Sequence, residues 1–517
     1  MIPRPLIPVA ALLLTSATPP PAQDVPQALA QACAGVASLN IPDVVVTAAT
    51  PTAAGAAWAS GMPTGRMPTA TVSRPFCRVQ GTIERTIAFE LWLPAKAEWN
   101  GKFLAGGVGG AAGTFNFQDL PRGVSRGYAA ASTDTGHKMS DPAWMLDARA
   151  RENFTHRANH LLAVKSKAIL AAHYGADARY SYFIGCSGGG RQGLKELQRY
   201  PADYDGIISG ANGPKTPEMT VRRMWEILQR DSHPGLMSPA NWQLIADRGT
   251  AACDAADGVA DGLVEDPRAC TFKIASLTCK PGEKGNCLSS AQVAFAERIY
   301  APLRDSSGRA IDGGLLPGVL VDNGRSPLAI GTFGQAVRGL RDWNGKDFDV
   351  AKDLAAIDRV MPELRADDPN PSAFQKRGGK LIQYTGWLDG AVAGRMVVDY
   401  HDALTKQAGG AAPTARFARL YTLPGVHHCA GGPGPDQIGG AGRDAPVPDA
   451  RHDLLTALEA WVEHGRAPGS MIASKVQDGK VTRTRLICPY PQRSTYKSGD
   501  PNQAASFSCV SPGSRGR

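Results

Sequence analysis

An α/β fold, in which a parallel sheet carries helices on both faces and is interrupted by a large insertion, is predicted by three observations. β-rich runs alternate with helical patterns in both outer parts of the chain. A serine framed by glycines stands where one such run passes into one such helix. Between the outer parts, residues 214–367 lose the rhythm and carry four cysteines, an aspartate-glycine cluster and many turn formers.

Taken in order, the chain opens on MIPRPLIPVAALLLTSATPPPAQ, an arginine, an apolar run over residues 6–14 and small residues near Ala17 and Ala22. This is the pattern of a secretory signal over residues 1–22, and the run is too short to span a bilayer. Residues 88–93 (AFELWL) alternate as a strand does, and residues 102–105 (KFLA) form a short apolar strand running into the glycine-rich loop 106–113. Residues 128–133 (YAAAST) read as a buried strand, residues 153–173 have apolar positions at helical spacing, and residues 180–184 (YSYFI) are β-rich. A helix follows Ser187 through Leu194, Leu197 and Tyr200, then a strand over residues 206–209. Beyond the insertion come a strand at 380–384, a helix at 391–403, a strand at 418–423 and a helix at 449–462. The division is a signal over 1–22, a catalytic domain in two parts, 23–213 and 368–517, and the inserted segment 214–367 between them.

The 517 residues, 43% of them hydrophobic, suffice for a substantial core and exceed the usual size of one domain. The net charge of +9 is spread along the chain with no basic run or aromatic-basic stripe, so a nucleic-acid partner is not expected. No further stretch is long and apolar enough for a membrane span. Ten cysteines in an exported protein imply disulfides. Eight fall into sequence-local couples, Cys33 with Cys77, Cys253 with Cys270, Cys279 with Cys287 and Cys488 with Cys509, leaving Cys186 and Cys429.

The chemistry centres on FIGCSGGGRQG, where Gly185-Cys186-Ser187-Gly188-Gly189 matches G-x-S-x-G between strand and helix. The chain must turn so sharply at Ser187 that side chains at the flanking glycines would collide, and the turn lifts the hydroxyl clear of the sheet. The helix that follows aims N–H groups at any oxyanion formed there. A serine hydroxyl needs a base, and the base an orienting carboxylate. In an α/β-hydrolase these follow in the order Ser, Asp or Glu, His. Asp389 lies on a loop after the 380–384 strand, and the next strand leads to His427-His428-Cys429, either histidine being a candidate base. Cys186 adjoins Ser187 as Cys429 adjoins His428, so a bridge between them would tether the nucleophile's loop to the base's loop. The inserted segment holds CDAADGVADGL, three carboxylates in eight residues, a set that repels itself unless a cation gathers it and whose hard oxygens suit Ca²⁺. Asn153-Phe154-Thr155 has the pattern of a glycosylation sequon.

Cys-Ser, then Asp, then His-Cys resembles the signature of the tannase and feruloyl esterase family of serine hydrolases. The likeness covers almost the whole mature chain, through WNGKFLAGGVGG, STDTGH, SYFIGCSGGGRQG, RYPADYDGI, CDAADGVADG, RGGKLI and VHHCAGGPG in the family's order. The resemblance implies an α/β-hydrolase fold with a lid domain inserted between nucleophile and acid, Ser187 as nucleophile, Asp389 as orienter and His428 as base. It also implies oxyanion donors at Gly188 and Gly110, and a structural calcium held by Asp254, Asp257 and Asp261 side chains with the carbonyls of Val259 and Leu263, closed by Cys253–Cys270. The implied activity is carboxylic ester hydrolysis through an acyl-enzyme, on aromatic (feruloyl, galloyl or related) esters, without redox or nucleotide cofactor, by an exported protein of periplasm or medium. The absent side chain at Gly188 would widen the acyl pocket. The same triad would also serve an acyltransferase or an amidase, and a hydrolase-like binding protein would share the fold alone.

Overall fold

The computed structural model describes residues 25–59, 69–283, 285–321 and 324–512; the expected signal segment lies outside them. Among the described residues, nine strands form one sheet. They are β1 (Val44–Thr52), β2 (Phe76–Ile83), β3 (Ile87–Pro94), β4 (Lys102–Gly106), β5 (Ala129–Thr133), β6 (Tyr180–Cys186), β7 (Gly206–Gly210), β8 (Lys380–Gly386) and β9 (Ala418–Leu423). Their spatial order is β1-β2-β3-β5-β4-β6-β7-β8-β9.

The pairs from β5 through β9 are parallel, as the alternation predicts. The pairs among β1, β2, β3 and β5 are antiparallel, which the sequence reading did not anticipate. The cause is local: Glu84 and Arg85 both take positive φ and reverse the chain between β2 and β3, leaving no room for a crossover helix.

The period of two in the strands divides the core between two faces. Phe103, Ala105, Phe183, Ile207 and Leu381 point to one, where α1 (Ala158–Tyr174) and α2 (Gly188–Arg199) bring Leu162, Leu170, Leu194 and Leu197. Leu104, Tyr182, Ile184, Ile208 and Ile382 point to the other, covered by Leu454, Leu455, Leu458 and Trp461 of the helix Leu454–His464.

Between β7 and β8 the chain leaves the sheet and builds helices, among them α3 (Thr216–Asp231), Pro239–Ala251, Ser290–Tyr300 and Val350–Val360. Trp242, Ile245, Leu288, Phe295 and Ile299 pack into an apolar cluster of their own. A second cluster joins Val221, Met224, Ile227 and Phe333 to Val108, Trp144 and Phe154 of the first part, so the inserted segment is seated on the loops above the sheet. Its two ends meet: the Ala366 N–H donates to the Pro214 carbonyl at 2.9 Å. All five disulfides follow the expected pairing, with Cα–Cα separations of 4.9–5.9 Å, within the range a bridge accepts. Asn153 is 1% exposed inside a helical turn, so its sequon pattern offers no surface acceptor. Among the described residues no helix is long and apolar enough to cross a membrane.

Candidate active site

Ser187 sits between the end of β6 and the start of α2 with φ 61° and ψ −125°, a conformation disfavoured for a side-chain-bearing residue and held here by its surroundings. Its N–H donates to the Gly210 carbonyl at 3.0 Å, and its carbonyl accepts from the Arg191 N–H at 2.9 Å. The flanking glycines are required by contact. A Cβ on Gly185 would lie 2.5 Å from the Gly189 carbonyl carbon, and one on Gly189 would lie 2.8 Å from that of Gly107.

Asp389 follows β8 and is 1% exposed. One carboxylate oxygen accepts the N–H groups of Ala391 and Val392, each at 2.8 Å, and the other accepts from His428 Nδ1 at 2.7 Å. The arrangement orients His428 and leaves Nε2 for the cleft, and of the two adjacent histidines it is His428 that lines it. Desolvation opposes charge on His428, but the charge and hydrogen bond of Asp389 outweigh it and raise the imidazole above its ordinary range; Arg223 opposes that rise. Cys429, in the left-handed region at φ 64°, turns the chain back so that its sulfur reaches Cys186.

Ser187 and His428 line one cleft of about 250 Å³, together with Gly110 and Gly188. The loop after β4 lies against Ser187: a Cβ on Gly109 would stand 3.6 Å from the Ser187 Cβ. A Cβ on Gly188 would lie 3.1 Å from the Val108 carbonyl oxygen, so this position is small for backbone approach as well as for the pocket. The inserted segment contributes Thr216, Met219, Arg223, Pro327, Leu328 and Leu364 to the same cleft, and α2 contributes Arg191. These were not found in the sequence because no motif marks them. The amphipathic pattern of α3 is the one available signal, and it does not tell cleft from core.

The acidic turn is assembled differently from the cation cage expected. Asp254 Oδ1 accepts the N–H groups of Asp261 and Gly262, at 3.0 and 2.8 Å. Asp257 and Asp261 receive the guanidinium of Arg485, whose side chain is fully buried, and Asp261 also that of Arg483. Glu265, 3.2 Å from Arg485, completes the group, and burial pushes its carboxyl up to about 8. Among the described residues no three His, Cys, Asp or Glu side chains converge as a metal would require. Asp254, Asp257, Asp261, Val259 and Leu263 lie together in this turn, and Cys253–Cys270 closes it as expected.

With this geometry in hand, known proteins fall into place. The family model for tannase and feruloyl esterase matches residues 70–319 and 337–510. A probable feruloyl esterase of Arthroderma benhamiae is 33% identical, over 82% of this chain and 82% of its own. A mono(2-hydroxyethyl) terephthalate hydrolase of Piscinibacter sakaiensis is 32% identical, over 84% and 85%. The crystal structure of feruloyl esterase B from Aspergillus oryzae superimposes with a TM-score of 0.86 at 26% identity, covering 93% of this chain and all of that one. The fold is that of an α/β-hydrolase, the enzyme is a carboxylic ester hydrolase, and the chain belongs to the tannase and feruloyl esterase family.

Proposed function

We propose that the protein is an exported serine esterase that hydrolyses esters of aromatic acids, feruloyl, galloyl or related, through an acyl-enzyme on Ser187. The observation that carries the reading is the 2.7 Å contact between Asp389 and His428, opening on the cleft that Ser187 lines. His428 takes the hydroxyl proton as Ser187 Oγ adds to the ester carbonyl. The oxyanion is met by N–H groups of Gly188 and Gly110, both at the cleft wall. As the tetrahedral species collapses, His428 returns the proton to the leaving alcohol; water then repeats the sequence on the acyl-enzyme, releasing the acid. Asp389 keeps Nδ1 protonated and compensates the imidazolium.

The aromatic acyl group is supported by the names of the relatives and by a cleft whose walls include Phe154, Met219, Leu328 and Leu364. In this reading the inserted segment acts as the lid that sets specificity, because it furnishes much of that wall. Export is supported by five disulfides, which persist in oxidising compartments. The reading includes a structural Ca²⁺ at the acidic turn, with no part in the reaction. Its support is charge: Asp257, Asp261 and Glu265 share the two guanidinium groups of Arg483 and Arg485, and Asp254 adds a fourth carboxylate to the same turn, bound to the N–H groups of Asp261 and Gly262.

The test is hydrolysis of methyl ferulate, methyl gallate, chlorogenate and mono(2-hydroxyethyl) terephthalate by the purified protein beside Ser187→Ala. Turnover of at least one by the wild type and none by the variant is expected. Silence on every ester, with the disulfides intact, would put an acyltransferase, an amidase or a binding protein in its place.

A further inference from the structure

The glycine-rich loop after β4 has little of its own to hold it in shape. Over residues 106–110 only Val108 carries a side chain, and glycine loses more conformational freedom on folding than any other residue. Yet this loop carries Gly110, whose N–H is one of the two proposed oxyanion donors, and such a donor acts only at hydrogen-bond distance from the developing charge.

The hold comes from Gln192. It lies one helical turn beyond Gly188 on α2 and is 1% exposed. Its Oε1 accepts the Val108 N–H at 3.0 Å and its Nε2 donates to the Val108 carbonyl at 3.1 Å, so one amide engages both backbone groups of the loop residue. Helix and loop are in close contact at this point. A Cβ on Gly188 would lie 3.1 Å from the Val108 carbonyl oxygen, and one on Gly107 would lie 2.9 Å from Gln192 Oε1.

From Val108 the restraint passes to Gly110. The Gly109 carbonyl accepts the Ala112 N–H at 3.2 Å and closes a turn in which Gly110, at φ 62°, is the first central residue. A trans peptide sets its carbonyl and N–H in opposite directions, so a Gly109 carbonyl aimed into the turn leaves the Gly110 N–H aimed out of it. On the far side His137 Nε2 donates to the Ala111 carbonyl at 2.9 Å. The turn is therefore pinned at both ends, and one pin is fastened to the helix that presents Gly188.

We propose that Gln192 is a positioning residue for the reaction: its amide fixes the glycine-rich loop against α2 and so sets the Gly110 N–H at its place relative to the Gly188 N–H. Without that amide the Val108 backbone groups lose their buried partners, and the loop gains the freedom that its glycines allow.

The inference rests on the esterase reading, and its test keeps the two apart. Gln192→Met keeps the length of the side chain and removes both amide bonds; Gln192→Asn keeps the amide and shortens its reach. kcat and KM on methyl ferulate and the inhibition constant of phenylboronic acid are measured where circular dichroism shows each variant folded. Phenylboronic acid becomes a tetrahedral anion as Ser187 Oγ bonds to boron and the serine proton passes to His428, so its affinity reports the oxyanion donors. Both variants are expected to lose roughly ten- to hundredfold in kcat, with KM within about twofold of the wild type and inhibition weakened in similar proportion. A lower melting temperature with unchanged kcat would make Gln192 a purely structural residue, and a raised KM at unchanged kcat would make it part of the binding wall. Either result, or a fall in kcat that leaves inhibition untouched, overturns the inference and leaves the esterase reading standing. A wild type that neither hydrolyses methyl ferulate nor binds the boronic acid removes both.

Discussion

Cys186 and Cys429 are joined across 243 residues, and each is the immediate neighbour of a residue of the proposed reacting pair, Ser187 on one side and His428 on the other. The bridge ties the strand-to-helix turn after β6 to the loop after β9, two segments that the sheet alone holds three strands apart. In chain-entropy terms closing so long a loop stabilises by about 5 kcal/mol. Replacing both cysteines by alanine is expected to lower the melting temperature and to cut kcat at least tenfold under conditions where the protein remains folded. Circular dichroism beside single-turnover kinetics measures the two losses separately. A variant that melts earlier but turns over normally would show that the tether serves stability alone.

Asp389→Asn should cost about three to four orders of magnitude in kcat, because the amide no longer enforces the Nδ1–H tautomer of His428. The two N–H groups of Ala391 and Val392 retain an acceptor, so thermal stability changes little. Paired kcat and melting measurements check this; parallel losses would mean that Asp389 is chiefly structural.

The raised basicity of His428 sets the acid limb of the pH profile. The base works when neutral, so kcat/KM should climb through a value above the ordinary imidazole range of about 6.5 and level off beyond it. Asp389→Asn should move that limb to lower pH. The stability linkage has the opposite direction. A histidine with a raised native pKa contributes its stabilisation fully below the unfolded value and loses it as pH rises through the native one, so this pair stabilises the fold more in acid than in base. A pH–rate profile and a pH series of melting temperatures test the two halves.

Arg485→Met removes the buried cation on which Asp257, Asp261 and Glu265 converge. Leaving such charges uncompensated should cost about 3–5 kcal/mol, read as a lower denaturation midpoint. Chelation asks a separate question of the same turn. If Ca²⁺ complements the surplus carboxylates, EGTA lowers the melting temperature and added Ca²⁺ restores it; a melting curve indifferent to both would remove the metal from the reading.

The parts of the site that could be read in the sequence are those whose chemistry dictates their neighbours. A nucleophile turn excludes side chains at Gly185 and Gly189, the chain order of an α/β-hydrolase locates Asp389, and two cysteines flank the reacting pair. Residue types alone left His427 and His428 open; the family resemblance named His428, and the structure places its ring against Asp389. β1 and β2 were not read as strands, and β3, read as a strand over 88–93, was not read as antiparallel because alternation gives a strand and not its direction. The arginine at the acidic turn was missed because Arg485 lies 228 residues from Asp257, beyond the reach of any local pattern. Arg223 and Met219 escaped for another reason: on an amphipathic helix the same spacing serves a core or a cleft.

The backbone contact between Pro214 and Ala366 gives the inserted segment the character of a cassette. Its ends meet at one point, and two of its disulfides close entirely within it. Segments attached in this way can be lengthened, shortened or exchanged while the strands on either side keep their register. In the proposed reading, the wall over the cleft can therefore be exchanged without redesigning the strands that carry Ser187, Asp389 and His428.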